Sequence, residues 1–369
     1  MRIVYFTHSL ASCWNHGNAH FLRGVLRELI ADGHSVEVYE PSGAWSLANL
    51  LRDHGEAALD AYRQAYPELH STAYGPDLDV AAALDGADLA IVHEWNEPWL
   101  VAAAGQARRE GGRFRLFFHD THHRAVSDPG AMRAYDLDGY DGVLAFGETV
   151  AAVYRGWGWG DRVFVWHEAA DTRLFRPPAA ESERGGLVWI GNWGDDERSA
   201  ELESYLFRPS RELGLSLDVY GVRYPDGARA TLDRFGARYH GWAPNAAAPS
   251  IFARHLATVH VPRRFYTEAL PGVPTIRVFE ALACGIPLVS APWQDSEGLF
   301  RVGMDFLMSR DPAEMERHLA ALRDDPDLRA SVVRHGLETI RARHTCRHRA
   351  DELIGIAAAL RPEATLERA

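Results

Sequence analysis

The stretch 268–293, EALPGVPTIRVFEALACGIPLVSAPW, holds residues whose types and order suit chemistry. Gly272 permits a tight turn, and Pro274 fits a first helical position, where a missing N–H costs nothing. The backbone around Gly272, Val273, Pro274 and Thr275 then forms the start of a helix, a site ready for a diphosphate. Glu280 follows one to two turns later, where a carboxylate can take both hydroxyls of a ribose. Arg277, three residues earlier on the same face, either touches phosphate or orients Glu280 through an i,i+3 ion pair. Gly285 closes the helix, and IPLVSAP reads as a strand covered on both faces.

A second set ends a strand in the first half. In FFHDTHH, His119 and Asp120 stand at the carboxyl end of an apolar run, where doubly wound proteins keep their chemistry. His119 is the candidate catalytic group on that placement, and Asp120 either orients it or binds a substrate. His122 and His123 lengthen the cluster, but neighbours on a strand end point apart, and no metal site is expected.

The loop after the first strand carries His8, Gly17 and Asn18. Glycine there lets the backbone approach a phosphate or sugar, with Asn18 as N-cap or ligand. His16 and His20 have the spacing of metal ligands but no third partner, and are expected to face solvent. Glu94, Trp95 and Glu97 end another strand on the acceptor side. Together with Trp14, Trp45 and Trp99 they offer carboxylates and apolar faces for a sugar.

In the second half, Gly191 and Asn192 open a βα loop without a GxGxxG fingerprint. Arg198 is the expected diphosphate clamp. Trp242 and Pro244 frame a nucleobase, and Arg263 faces phosphates or the acceptor. The acidic run 195–197 also makes a good helix start by itself.

These residues need a parallel α/β frame, and short apolar runs alternate with amphipathic stretches throughout. RIVYFTH, SVEVYEP, ADLAIVHEW, FRLFFHD, GVLAFGE and RVFVWHEA read as strands of a first domain, 1–175. GLVWIGNW, SLDVYG, ARYHGW, ATVHVPR, IPLVSAP and DFLMSRD read as strands of a second, 176–345. Pro177–Pro178 mark the linker. Turns are expected at Asp324–Pro326 and Gly336, and 346–369 contains a last helix that packs back on the first domain. On the helix 18–31, His20, Arg23 and Arg27 share one side, too slight a signal for membrane docking.

A chain of 369 residues supports two cores, and 47% hydrophobic with 24% charged residues is ordinary for a globular protein. All 39 basic residues are arginine, so any phosphate clamp uses guanidinium or backbone amides, and no lysine Schiff base can form. A net charge of −12 argues against nucleic acid as a partner. Cys13, Cys284 and Cys346 are scattered, which argues against a disulfide framework or zinc site and fits a cytoplasmic location. The opening MRIVYFTHSL goes straight into a strand, and no run reaches about 18 apolar residues. Neither secretion by a leader nor a membrane span is therefore expected, while peripheral membrane contact stays open.

Several segments together resemble one family. AADTRLFRP, TIRVFEALACGIPLVSAP and GLFRVGMDFLMSRDPAEMERHLAALRDDPDLRASVVRHGLETIRARHT are similar to group 1 glycosyltransferases, in the CgeB-like branch. The resemblance implies the GT-B architecture: two Rossmann-like doubly wound domains facing an interdomain cleft. It also implies transfer from a nucleoside-diphosphate sugar to a small-molecule or glycan acceptor, retaining and independent of metal or other cofactor. UDP is the first donor nucleotide to consider, with GDP or TDP as alternatives. Many relatives carry a first carboxylate eight residues before the ribose-binding one; here that position is Gly272, and Glu268 lies twelve residues ahead. Backbone amides or Glu268 are the substitutes. Two other classes remain: a nucleotide-sugar epimerase of the same fold, and a non-catalytic nucleotide-sugar-binding protein.

Overall fold

The computed structural model describes residues 1–179, 184–194 and 196–360. Asp195 of the acidic run, and the tail after 360, lie outside them. Seven strands form the first sheet: β1 (Arg2–Phe6), β2 (Ser35–Pro41), β3 (Thr72–Tyr74), β4 (Leu89–His93), β5 (Arg115–Asp120), β6 (Gly142–Ala145) and β7 (Val163–Val165). Their order is β3-β2-β1-β4-β5-β6-β7, and every pairing is parallel. Six more form the second: β8 (Leu187–Ile190), β9 (Leu217–Tyr220), β10 (Arg238–Tyr239), β11 (Ala257–His260), β12 (Leu288–Ser290) and β13 (Leu307–Met308). Their order, β10-β9-β8-β11-β12-β13, is again wholly parallel.

The central strands are buried end to end, as LAIVH in β4 and ATVH in β11 show. Helices on both faces explain why such strands read as unbroken apolar runs rather than alternating ones. β3 escaped the sequence reading because it is a three-residue edge strand, TAY, with only Tyr74 buried.

One apolar cluster spans both domains. It joins Tyr5, Phe21 and Phe117 of the first to Ile276 and Phe279 of the second through Trp166 and Phe175. The helix Cys346–Ala359 packs on the helix Ala19–Ala31, so the end of the described chain returns to the first domain. Gly24 makes that approach possible, since a Cβ there would lie 2.4 Å from Cys346 Sγ. Thr345 caps the last helix by a reciprocal pair with His348.

Two local expectations are corrected. Gly336 makes no turn; it lies inside the helix Pro326–Arg343, where a Cβ would meet Asp305 O and Leu282 Cδ2 at 3.0 Å. Close packing, rather than chain reversal, is what glycine serves there. The His20–Arg23–Arg27 side of the first helix is no surface either. Arg23 is 2% exposed, donates to Leu10 O and Ala11 O, and sits 4.8 Å over Tyr62 and 5.0 Å over Tyr66.

Candidate functional site

The loops that follow the carboxyl ends of β1, β8, β9 and β11 meet around a cavity of about 230 Å³ between the two domains. The first domain contributes Cys13, Asn15, His16 and Gly17. The second contributes Gly191, Asn192, Arg198, Trp242, Arg263, Thr275 and Arg277, among others. Asn192 Nδ2 donates to Asn15 Oδ1 across the cleft, and a Cβ on Gly17 would touch Ile276 Cγ2 at 3.3 Å. Of the sequence-predicted donor residues, Arg198, Gly191, Asn192, Trp242, Thr275 and Arg277 therefore come together, with Gly17 and Arg263 beside them.

Three guanidiniums dominate the second domain's side of the cavity. Arg198 donates to Val261 O at 2.8 Å, and to Asn192 O at 2.8 Å and Oδ1 at 2.9 Å, and lies 5.0 Å over the Trp189 ring. Its Nε–H has no protein partner. Burial, then the neighbouring Arg263, pull Arg198 down to about 10, so it remains a cation at neutral pH. Arg263 reaches Asn192 Oδ1 at 3.2 Å and Glu197 at 3.6 Å. Trp242 lies 4.6 Å from the His54 ring, with its buried indole N–H unpaired.

The helix start is shifted from its expected place. The helix runs Ile276–Cys284 with Thr275 as N-cap, so Pro274 precedes it rather than opening it. Gly272 (φ +89°) gives its N–H to Gln294 O at 2.7 Å, and Val273 gives its own to Leu270 O at 3.2 Å. Those two amides are spoken for, and the free first-turn N–H groups belong to Thr275 onward. Gly272 serves packing: a Cβ there would lie 2.5 Å from Ser296 Oγ. Glu268 does not replace the missing carboxylate, for its side chain is 69% exposed and stands off the cavity beside Arg264.

Glu280 lies one layer behind the lining, 0% exposed. Arg277 pairs with Oε2, while His20 Nδ1 lies 3.2 Å and Asn245 Nδ2 3.4 Å from Oε1. Burial pushes the Glu280 carboxyl up, but Arg277 and His20 outweigh it and hold it below the usual range. His20, expected in solvent, is 1% exposed; its Nε2 accepts the Asp171 N–H at 2.9 Å, so it links the first domain to Glu280. His16, also expected in solvent, is buried on the cavity wall.

His119 and Asp120 are turned away from the cleft, contrary to the catalytic expectation. Both are 0% exposed. His119 packs among Trp166, Phe21 and His93, with Tyr5 Oη on its Nδ1, and burial holds it at about 3. Asp120 accepts the Tyr154 hydroxyl at 2.8 Å and the His122 N–H at 3.0 Å, and burial raises it to about 6. The two side chains point to opposite faces of the sheet, His119 toward Trp166 and Phe21 and Asp120 toward Tyr154, and the helices covering both faces bury them.

What does gather at the first domain's end of the cleft is His8, Asn18, His93, Glu94 and Thr121. Asn18 occupies the N-cap position without capping; its amide meets His93 Nε2 at 2.8 Å and Thr121 Oγ1 at 2.9 Å. Trp95 stacks under Arg124 and beside His122, and His123 stacks on Phe265 of the second domain at 4.7 Å. Among the described residues no three His, Cys, Asp or Glu side chains are grouped to hold a metal.

Residues 198–355 match the family model described as glycosyl transferase-like. Solved structures match along nearly the whole chain. A crystal structure of Anabaena Alr3699/HepE in complex with UDP-glucose shares 13% identity with a TM-score of 0.70, covering 98% of this chain and 100% of that one. An α-glucosyltransferase bound to UDP-glucose and DNA containing an abasic site shares 11% at 0.70, covering 97% and 99%. A glycosyltransferase from Rickettsia africae ESF-5 shares 9% at 0.66, covering 96% and 97%. The chain has the GT-B fold. No curated protein sequence matches it.

Within this GT-B frame, sequence reasoning missed Glu168, His260 and Asn245. Glu168 follows β7 and is 8% exposed; burial, then the nearby Glu280, raise it to about 8, so it holds a proton at neutral pH. His260 ends β11 and links Ser290 Oγ at 2.9 Å to Thr275 Oγ1 at 3.1 Å, fixing the N-cap of the helix Ile276–Cys284. The WHEAA run did show Glu168 just after a strand. Nothing in one dimension showed that Glu280 would come to lie beside it.

Proposed function

We propose that this chain transfers a sugar from a nucleoside-diphosphate sugar to a hydroxyl acceptor. The observation that carries this is the convergence of Arg198, Arg263 and Arg277 with a helix start on one interdomain cavity. Breaking the bond between the anomeric carbon and the diphosphate leaves negative charge on the departing oxygens. Guanidiniums and helix-start N–H groups fixed in place beforehand stabilise that charge with little reorganisation. These cations supply the countercharge expected of a metal-independent enzyme. The glycosyl transferase-like match supports the reaction class, and UDP-glucose in two fold neighbours supports a UDP-hexose as the first donor to test.

Arg277 has two states in this proposal. Paired with Glu280 it blocks the carboxylate; turned to the diphosphate it frees Oε2 for a ribose hydroxyl, while His20 keeps Oε1 oriented. Among the described residues no carboxylate lines the cavity, and Glu297, which stands beside Gly272, is taken up by the Glu148 N–H and the His167 ring, so front-face departure and attack with retention is favoured over double displacement. Assignment to the CgeB-like branch rests on residues 299–348, and a cytoplasmic location is supported by three free thiols. No helix among the described residues is long and apolar enough to cross a membrane.

Calorimetric titration with UDP, GDP and TDP in excess chelator tests the reading. One nucleotide should bind, with affinity lowered at least about tenfold in Arg277→Ala. Absence of binding by all three would overturn it.

A further inference from the structure

A second cavity, of about 270 Å³, adjoins the one between the domains; Cys13, Trp242 and Asn245 line both and stand between them. Leu50, Ala58 and Tyr66 wall it from the first domain, and Pro244, Ala246 and Ala247 from the second. Among the described residues the one charged side chain on its wall is Arg23, 2% exposed. The guanidinium donates to Leu10 O at 2.9 Å and Ala11 O at 3.0 Å, and its faces are covered by Tyr62 and Tyr66, which also line the cavity. Stacking serves those faces and leaves the N–H edge, with five donors in all, to find partners. Its other polar neighbour is Cys13 Sγ, which already accepts the Asn245 N–H at 3.4 Å. Among the described residues Arg23 forms no ion pair. Glu40 is taken up by Ser9, Leu10 and Ser71, and Asp171 by Arg27. Buried charges are ordinarily paired, and this one faces an apolar space instead. Trp242 adds a second unmet donor, its buried indole N–H.

We propose that this cavity binds an apolar monocarboxylate, a short aliphatic or aromatic acid, with its carboxylate on Arg23 and its body against Leu50, Ala58 and Ala247. The site is separate from the nucleotide cavity and does not depend on the glycosyl-transfer reading. A carboxylate supplies the counterion that Arg23 lacks, in a charge-assisted hydrogen bond made strong by burial. One cation suits one negative charge, so a phosphate or dicarboxylate would leave charge uncompensated. An alcohol of the same shape would leave Arg23 unpaired, and a sugar acid would bury hydroxyls against alanine and leucine without partners. The apolar body contributes by removing those walls from water. Because the walls come from both domains, a bound acid holds the loop 242–247 against the first domain. Asn245 in that loop also places its Nδ2 3.4 Å from Glu280 Oε1. An acid here and a nucleotide next door therefore favour the same arrangement of the two domains, and each should tighten the other or leave it unchanged.

The test titrates the full chain by calorimetry with hexanoate and phenylacetate, against hexanol, phenylethanol and acetate, with and without saturating UDP. At least one of the two acids should bind once per chain, at least about tenfold tighter than its matching alcohol and than acetate. Ala58→Leu, at a half-buried position of the helix Glu56–Ala65, fills the cavity and should weaken that acid about tenfold or more, with the melting temperature unchanged. Arg23→Gln should erase the difference between acid and alcohol. If that variant fails to fold, Ala58→Leu and the acid–alcohol contrast still decide. Neither acid binding by about 10 mM, alcohols binding as tightly, or indifference to Ala58→Leu would overturn the proposal. So would competition with UDP, which would put the acid in the nucleotide cavity. Failure of UDP itself to bind would fall on the glycosyl-transfer reading, because the titration without UDP reports on this cavity alone.

Discussion

The two ends of the cleft solve opposite electrostatic problems with different residues. At the second domain's end, Arg198, Arg263 and Arg277 bring guanidinium charge to a partly buried space. At the other end, His8, His16, His93, His122 and His123 are held uncharged, and Glu94 with them. A guanidinium keeps its proton even when burial pulls it down, whereas an imidazole gives its proton up within reach of neutral pH. The same burial therefore yields one end that stays charged and one that stays neutral.

The largest expected effect breaks the donor side alone. Arg198→Met removes a cation that ties Asn192 to Val261 and leaves Nε–H free for a ligand. UDP affinity should fall about 100-fold, roughly 2.7 kcal/mol, as read by calorimetry. Retention of binding within about threefold would strip Arg198 of its role. His20→Ala comes next, since it unlinks the first domain from Glu280. The buried carboxylate loses one of its orienting partners, and melting under denaturant should show a loss of about 1–3 kcal/mol.

Acidification should break the other side first. Folded, these histidines have lowered pKa values; unfolded, they return to about 6.5. Between those limits the unfolded chain binds more protons, so stability is full above about pH 6.5 and falls as the pH drops. Glu94, Glu168 and Asp120 have the opposite sign, because their folded carboxyls hold protons that the unfolded chain releases. Eight lowered histidines, the five above with His119, His260 and His344, outnumber those three, so acid should destabilise. Each contributes up to about 1.4 kcal/mol per pH unit. Denaturation from pH 7 to 5 should show the decline, and His8→Gln should make it shallower; a flat profile would contradict neutral burial.

The smallest effect probes the seam between the ends. Gly17→Ala would set a methyl 3.3 Å from Ile276 Cγ2, a contact tight enough to nudge the donor helix. UDP affinity should fall only about two- to fivefold, with melting unchanged within about 0.5 kcal/mol.

The sequence alone carried the repeating strand–helix order, the two domains and the donor helix, because periodicity and glycine placement are local signals. It also pointed to Asn192, Arg198 and Trp242 as cavity-facing, since loops that follow parallel strands open on the cleft, and to Arg277 in the first turn of the adjoining helix. Only the tertiary structure decided that both faces of the end of β5 are covered. It sent His119 and Asp120 into the core and left their neighbours His122 and His123 at the boundary. Only packing could show that Pro274 precedes the helix, that Gly336 lets two helices approach, or that His20 crosses to Glu280. Residue type and spacing fix what a side chain is able to do; which distant group it meets is set by how the two sheets and the returning last helix pack together.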